Sequence, residues 1–201
     1  MMKKYYSLLV LFILVTQMLF AQSSGENMLK SLQEKFNTIQ TITADFKQLV
    51  NGKINLSGKF YYEKKNKLRL ELKNVIIVSD GETNWSFNKR ENKVVISDYD
   101  KDNPPVFSID KFIESYPAQC VVSAAAEGNE KILVLTAKTA AMNFKTVKIW
   151  MNKEDLIEKL AIDSGGKNIE MLFNDYKINE KFGSNKFSFT PPKGSTIVDL
   201  R

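Results

Sequence analysis

The chain has 201 residues with 29 Lys and Arg against 23 Asp and Glu, which gives a formal net charge of +6. Histidine is absent, which excludes Ser–His and Cys–His nucleophile pairs and removes the commonest zinc ligand. We therefore expect a protein that is not an enzyme and that needs no cofactor or metal. The single cysteine, Cys120, excludes an internal disulfide, and the charge excess is too diffuse to indicate nucleic-acid binding.

The first 21 residues have the pattern of a secretory signal peptide. Lys3 and Lys4 precede an apolar run at residues 5–20, and Ala21 stands at a plausible cleavage point. A membrane anchor is the competing interpretation, but the run is short and no basic stop-transfer signal follows it. No cysteine lies near the cleavage point to accept a lipid. Cleavage would leave a secreted domain at residues 22–201 with a charge of about +4.

Helical periodicity is clearest near the start of this domain, and alternation takes over after it. Residues 26–40 repeat apolar side chains at three- and four-residue steps, which predicts an amphipathic helix. The alternating segments that follow at residues 42–49 and 58–63 predict strands.

The stretch from residue 68 to residue 88 carries the strongest strand pattern. Leu68, Leu70 and Leu72 alternate with charged residues, and the Asp80-Gly81 pair at the end of the next apolar run predicts a tight hairpin turn. Beyond the turn come Trp85 and Phe87, two residues apart and hence on one face of a strand. We expect one aliphatic and aromatic sheet face to include all of these apolar side chains.

Further strands follow at a spacing of about ten residues. The pattern predicts them at residues 93–97, 118–123, 131–137, 144–151, 156–163, 168–173 and 187–189. This spacing favours an antiparallel meander curled into a barrel. The predicted fold is therefore mainly β with a few α-helices, in a single domain.

Pro104-Pro105 opens a segment whose apolar spacing is helical, and we name residues 106–113 the lid segment. Proline suits a helix start because its missing N–H needs no partner there. The segment is either a helix packed permanently into the core or a lid over a cavity, and the pattern alone leaves both open. Its apolar residues are Val106, Phe107, Ile109, Phe112 and Ile113.

The inward positions of the strands are either ordinary core or the lining of a hydrophobic cavity. A sheet of this many strands with few helices encloses more volume than the helices easily fill, and curled sheets of this kind commonly hold an apolar ligand. The predicted lipid-binding residues are Phe46, Phe60, Tyr62, Leu68, Leu70, Leu72, Val78, Trp85, Phe87, Ile149, Met151, Met171 and Phe173.

Several motifs, in order along most of the chain, resemble the LolA family of periplasmic carriers of outer-membrane lipoproteins. Ile77-Val78-Ser79-Asp80-Gly81-x-Thr83-x-Trp85 is similar to the family's hallmark segment. Phe46-Lys47-Gln48 and Gly58-Lys59-Phe60-Tyr61 are similar to its early strands, and Lys186-Phe187-Ser188-Phe189-Thr190-Pro191-Pro192-Lys193-Gly194 to its C-terminal signature. The lid segment falls where the family has a lid helix.

The resemblance implies a fold and a function. The fold is an unclosed antiparallel barrel capped by helices around a cavity for acyl chains. The function is periplasmic transport of acylated lipoproteins by a monomer, from an inner-membrane LolCDE-type transporter to an outer-membrane LolB-like acceptor where one exists. Lys64-Lys65 stands where the family has Arg-Pro, so Lys64 is the candidate for control of lid and release, without the planar fork of arginine. The alternative is a LolA-like lipid- or signal-sensing domain that regulates an envelope stress response.

Overall fold

The structure is a computed structural model that describes residues 23–100 and 109–201. The predicted signal peptide at residues 1–21 lies outside these residues, as do Val106 and Phe107 of the lid segment. The described part is mainly β, as the sequence predicts. Its long helix, α1, spans residues 23–38.

The described residues form two compact units. The first comprises the residues up to Phe36 together with Lys111–Asn168, and the second comprises Asn37–Asp110 together with Ile169–Arg201. The prediction that residues 22–201 make a single domain stays a prediction.

The second unit is a sheet of eight strands. These are β1 Thr41–Val50, β2 Lys53–Glu63, β3 Lys67–Leu72, β4 Val75–Ser79, β5 Thr83–Asn88, β6 Lys93–Asp98, β11 Asn168–Ile178 and β12 Thr196–Asp199. Their order is β12-β6-β5-β4-β3-β2-β1-β11, antiparallel throughout except for the parallel pair β12–β6. In the described residues β12 does not pair with β11, so the sheet is not closed, which confirms the predicted unclosed antiparallel sheet.

The first unit holds four antiparallel strands in the order β10-β9-β8-β7. They are β7 Cys120–Glu127, β8 Glu130–Ala137, β9 Thr146–Met151 and β10 Ile157–Asp163. The register places Leu133, Ile149 and Leu160 side by side on one face, and all three are fully buried. This face is the core of the first unit.

Helix α1 packs against the same unit along its first three turns. Gly25 lies so close to β7 that a Cβ atom there would come within 2.4 Å of the Ser123 carbonyl carbon. Ser31 Oγ donates a 2.7 Å hydrogen bond to Asp155 Oδ2 in the β9–β10 turn. Leu32, the next residue, is buried, as the predicted amphipathic pattern requires.

The turn between β4 and β5 explains why Asp80-Gly81 stands there. Asp80 Oδ1 accepts the backbone N–H groups of Glu82 and Thr83, at 2.9 and 2.8 Å. Gly81 has a φ of 97°, and a Cβ atom there would meet the Lys65 carbonyl oxygen at 2.4 Å. Only glycine combines that dihedral angle with that close approach.

Several strand predictions differ from the structure, and two of the differences have a clear physical reason. β2 begins at Lys53, five residues before the predicted start, because the β1–β2 hairpin continues to a turn at Asn51 and Gly52, both at positive φ. The strand predicted at residues 187–189 is wrong, since Phe187 lies in a turn and the last strand is Thr196–Asp199. Pro191 and Pro192 follow the turn and have no N–H to donate to a sheet.

Candidate ligand-binding face

One face of the second unit carries most of the residues that the sequence assigns to lipid binding. The register places Phe60 opposite Leu70, which lies opposite Ile77. Directly opposed residues of antiparallel strands point to the same side. We name the side defined by these three residues the Phe60 face. Every second residue along these three strands, counted from Phe60, Leu70 or Ile77, also belongs to the Phe60 face. The face continues on β1 through Phe46 and on β11 through Phe173.

Aromatic rings form the centre of the Phe60 face. Phe173 contacts Phe46 and Phe60, with ring centroids 5.7 and 6.0 Å apart, and the ring of Tyr62 is parallel to that of Phe60 at 6.4 Å. All four side chains are at most 3% exposed. Such edge-to-face and offset pairs stabilise beyond their area. The rings are thus covered in the structure, and a ligand that reaches them must displace their cover.

The remaining aliphatic residues of the prediction are divided between the units. Leu68, Leu70, Leu72 and Met171 lie on the Phe60 face. Ile149 and Met151 share a face of β9 in the first unit. For both groups lipid binding stays a prediction.

The prediction that Val78, Trp85 and Phe87 share a face with the leucines of β3 is wrong. Val78 lies opposite Arg69 and Trp85, so it points to the other side of the sheet. Phe87 lies opposite Ile76 on that same side. We name this side the Trp85 face. The error arises at the β3–β4 connection, because the number of residues in a turn sets which residues face each other, and periodicity within a strand does not reveal it.

The C-terminal segment, residues 180–195, packs on the Trp85 face. Phe189 contacts Phe87 with ring centroids 5.6 Å apart, and Phe182 contacts Tyr61 at 6.1 Å. Lys186 Nζ lies 3.1 Å from the centroid of the Tyr61 ring, a cation–π arrangement. Burial lowers the pKa of the Lys186 ammonium, against the attraction of the Glu71 carboxylate. The signature at residues 186–194 therefore covers this face of the sheet.

The described part of the lid segment is helical and well packed. Ile109, Phe112 and Ile113 are buried. Within the first unit, Phe112 contacts Tyr116 and Phe144 with ring centroids 5.0 and 6.3 Å apart. A π-helical turn, Lys111–Ser115, begins inside the lid segment and extends beyond it, and the Tyr116 N–H donates a 2.7 Å hydrogen bond to the Lys111 carbonyl oxygen. The packing is compatible with a fixed helix and with a closed lid.

A hydrogen bond joins the lid segment to the Phe60 face inside the second unit. The Tyr62 hydroxyl donates to Asp110 Oδ1 at 2.7 Å. Burial raises the pKa of the Asp110 carboxyl, while the Tyr62 hydrogen bond and the positive charge of Lys64 oppose the shift. Sequence reasoning missed Asp110, since the apolar spacing of the segment drew attention to its other residues.

Lys64 lies at the junction of β2 and the end of α1. Its Nζ donates a 3.0 Å hydrogen bond to the carbonyl oxygen of Asn37, and its backbone N–H donates to Gln40 O at 3.0 Å. A cation at a helix C-terminus satisfies a free carbonyl and complements the helix dipole. Lys64 thus contacts the helix end and also influences Asp110, while its role in release stays a prediction.

The described residues contain neither a metal-binding group nor a membrane-spanning helix. No cluster of three or more Cys, Asp or Glu side chains there could hold a metal ion. In the same residues, no helix combines the length and the apolar character that a membrane crossing requires.

An open antiparallel sheet that collects aromatic and aliphatic side chains on one face is typical of proteins that hold a hydrophobic ligand. Comparison with known proteins identifies the family within this class. Residues 37–190, more than half of the chain, match the family model described as outer membrane lipoprotein carrier protein LolA. The chain belongs to the LolA family.

Similar proteins agree with this assignment, and a solved structure shares the fold. An outer-membrane lipoprotein carrier protein of Legionella pneumophila is 27% identical over 199 residues, which cover 94% of this chain and 96% of the relative. One from Pseudomonas putida is 23% identical, with coverages of 87% and 89%. A crystal structure of a conserved protein of Thermus thermophilus has a TM-score of 0.57 at 14% identity and covers 88% of this chain and 99% of that one. The last similarity concerns the fold alone.

Proposed function

We propose that this protein binds the acyl chains of lipoproteins on the Phe60 face and carries them through the periplasm to the outer membrane. The observation that carries the proposal is the Phe60 face itself, an aromatic and aliphatic surface in a chain of the LolA family. The second unit brings Phe46, Phe60, Tyr62 and Phe173 together on three neighbouring strands, β2, β1 and β11. The relatives bear the name outer-membrane lipoprotein carrier protein, which supports the same role here.

Energetics require both a large apolar surface and a cover for it. Burying one acyl CH₂ contributes about 0.8 kcal/mol, so a sixteen-carbon chain contributes about 12 kcal/mol. A carrier that bound with that full free energy would not release its cargo. On the Phe60 face the rings are already buried, so the cargo replaces an existing cover and the net affinity is lower. The lid segment, bonded to Tyr62 through Asp110, is the proposed cover.

The proposed partners follow from the family. An inner-membrane LolCDE-type ABC transporter loads the cargo, and an outer-membrane LolB-like acceptor receives it where the organism has one. The apolar run at residues 5–20 behind Lys3 and Lys4 supports secretion into the periplasm.

Native mass spectrometry of the protein purified from a periplasmic extract tests the carrier role. We expect a population whose added mass matches an acylated lipoprotein. Blocking delivery to the outer membrane should increase the loaded population. If no bound acylated polypeptide is found even then, the proposal is contradicted. The same preparation reports the mature N-terminus, which we expect near Gln22.

A matched pair of substitutions tests which face binds the acyl chain. Leu70→Trp enlarges a side chain on the Phe60 face, and Phe87→Trp does the same on the Trp85 face. Both overpacking changes cost roughly 1–3 kcal/mol of stability. We expect only Leu70→Trp to weaken binding of a fluorescent fatty acyl probe. Equal affinity of both variants would exclude the Phe60 face as the binding surface.

A further inference from the structure

The Phe60 face changes from apolar to polar at the end where Tyr62 meets the lid segment. One row of opposed residues crosses the sheet there from Tyr62 through Leu68 and Ser79 to Asn84. In the next row towards the hairpin of β1 and β2, Phe60, Leu70 and Ile77 stand opposite one another. Ser79 and Asn84 therefore border an apolar surface on its own side of the sheet.

Asn84 is buried with part of its hydrogen-bonding capacity unused. Its side chain is on β5, and the residue is 6% exposed. Nδ2 donates a 3.0 Å hydrogen bond to the carbonyl oxygen of Asp98. Oδ1 is buried and has no hydrogen-bond partner among the residues that the structure describes. Native proteins satisfy nearly all such atoms, so an unpaired buried carboxamide oxygen needs an explanation.

Ser79 stands directly opposite Asn84 and is 1% exposed. Its Oγ accepts the Gly81 N–H at 3.2 Å, and a hydroxyl that accepts still has its own O–H to donate. The pair thus offers a ligand one acceptor, Asn84 Oδ1, beside one donor, the Ser79 hydroxyl.

We propose that Asn84 binds the amide group that joins an acyl chain to the amino group of the cargo. The amide N–H donates to Asn84 Oδ1. The acyl chain then passes Ser79 and extends towards Ile77 and Leu70. This inference rests on the proposed carrier function and adds to it a preference for one chemical linkage.

The chemistry of acyl linkages explains why the preference is for an amide. An ester carries acceptors only, so it leaves Asn84 Oδ1 as unpaired as it is without ligand. A secondary amide carries an N–H donor, which gives Asn84 Oδ1 the hydrogen-bond partner that it lacks. Recognition of this kind discriminates strongly because the wrong ligand leaves a buried polar atom without a partner.

Two probes that differ in a single NH-for-O exchange test the inference. N-methylhexadecanamide and methyl hexadecanoate have the same chain and nearly the same size. Each is titrated against the full-length mature protein loaded with a fluorescent acyl probe, and displacement is measured. We expect the amide to bind about fivefold to tenfold more tightly than the ester.

Variants assign the preference to Asn84. Asn84→Leu keeps the shape and removes the acceptor, so both probes should bind with equal affinity. Asn84→Ala serves if the leucine variant does not fold, as monitored by thermal unfolding. Ser86→Ala is the matched control, because Ser86 lies two residues further along the same face of β5, and it should keep the preference for the amide.

The outcomes separate this inference from the carrier proposal. Equal affinity of the two probes for the unmodified protein overturns the inference and leaves the carrier role standing, as does a preference that survives in the Asn84 variants. Failure of both probes to bind overturns the carrier proposal together with the inference.

Discussion

The hydroxyl of Tyr62 and the carboxylate of Asp110 are 2.7 Å apart, and this hydrogen bond joins strand β2 to the lid segment. Tyr62 belongs to the aromatic cluster of the Phe60 face, and Asp110 lies between the buried lid residues Ile109 and Phe112. A single hydrogen bond stabilises the closed position of a helix by much less free energy than burial of a large apolar area would. The contact is therefore suited to a cover that has to open.

Removing the Tyr62 hydroxyl should loosen the lid segment. Tyr62→Phe keeps the ring and leaves the half-buried Asp110 carboxylate with one hydrogen bond fewer, which should cost about 1–3 kcal/mol of stability. We expect faster amide hydrogen exchange in residues 109–115, measured by mass spectrometry. The control is Tyr61→Phe, since Tyr61 points to the Trp85 face. If lid exchange is the same in both variants, the hydrogen bond does not hold the segment.

The raised pKa of Asp110 predicts a pH dependence of stability with a definite sign. Burial raises the pKa of this carboxyl above its value of 3.8 in the unfolded chain. At a pH between these two pKa values, the folded state holds a proton that the unfolded state has lost. The stabilisation is complete below the unfolded pKa and is lost as pH rises through the folded pKa.

Asp110→Asn isolates this effect, since its amide oxygen can still accept from Tyr62. Urea unfolding at a series of pH values should show wild type losing stability relative to Asp110→Asn as pH rises from about 4 through the folded pKa. Above that window the variant should be the more stable protein. A difference that stays constant over the whole series would mean that the carboxyl is not perturbed.

The glycine of the β4–β5 turn should tolerate no side chain. Gly81→Ala introduces a Cβ at a φ of 97° and at 2.4 Å from the Lys65 carbonyl oxygen. Gly52→Ala is the matched control, because Gly52 has a φ of 76° and nothing within 4 Å of its Cβ position. The control should lose about 1–2 kcal/mol from the dihedral angle alone, and Gly81→Ala clearly more. Equal losses in chemical denaturation would show that the backbone contact relaxes at no cost.

The sequence predicts the fold well where local chemistry decides it. Alternation located the strands of both units, and the Asp80-Gly81 pair located a turn that the structure then shows to need both residues. The strand predicted at residues 187–189 failed because Phe187 is buried against Phe182 by tertiary packing. Burial of alternate aromatic residues does not require strand pairing.

The candidate site was harder to predict because it depends on how strands are joined. Leu70 and Trp85 each alternate correctly within their own strand, yet the β3–β4 connection places them on opposite faces. The C-terminal segment, about a hundred residues further along the chain, covers the apolar side chains of the Trp85 face. Asn84 and Asp110 escaped notice for a related reason, since a single polar residue in an apolar pattern gives no signal until its neighbours are known.

Fixing the lid segment to β2 should block loading of cargo without unfolding the sheet. Cysteines replace Tyr62 and Asp110, whose polar atoms are in contact, after Cys120→Ser removes the native thiol. A bifunctional thiosulfonate then bridges them in a link that a reductant cleaves. The hydrogen bond between Tyr62 and Asp110 can open in the native protein, whereas the covalent bridge stays closed until it is reduced. An acyl probe should therefore load only after reduction.

A second bridged pair separates the effect of the lid from that of cross-linking itself. Tyr61 and Phe182 contact each other on the Trp85 face with ring centroids 6.1 Å apart, so cysteines at these positions can take the same reagent. This bridge should leave loading unchanged in both redox states. If the bridge between positions 62 and 110 also leaves loading unchanged, the lid segment is permanent core, and the acyl chain must reach the Phe60 face from another side. Loading that recovers on reduction would instead identify the Tyr62–Asp110 contact as the point at which the cover opens, because cleavage of the link restores only the freedom of the lid.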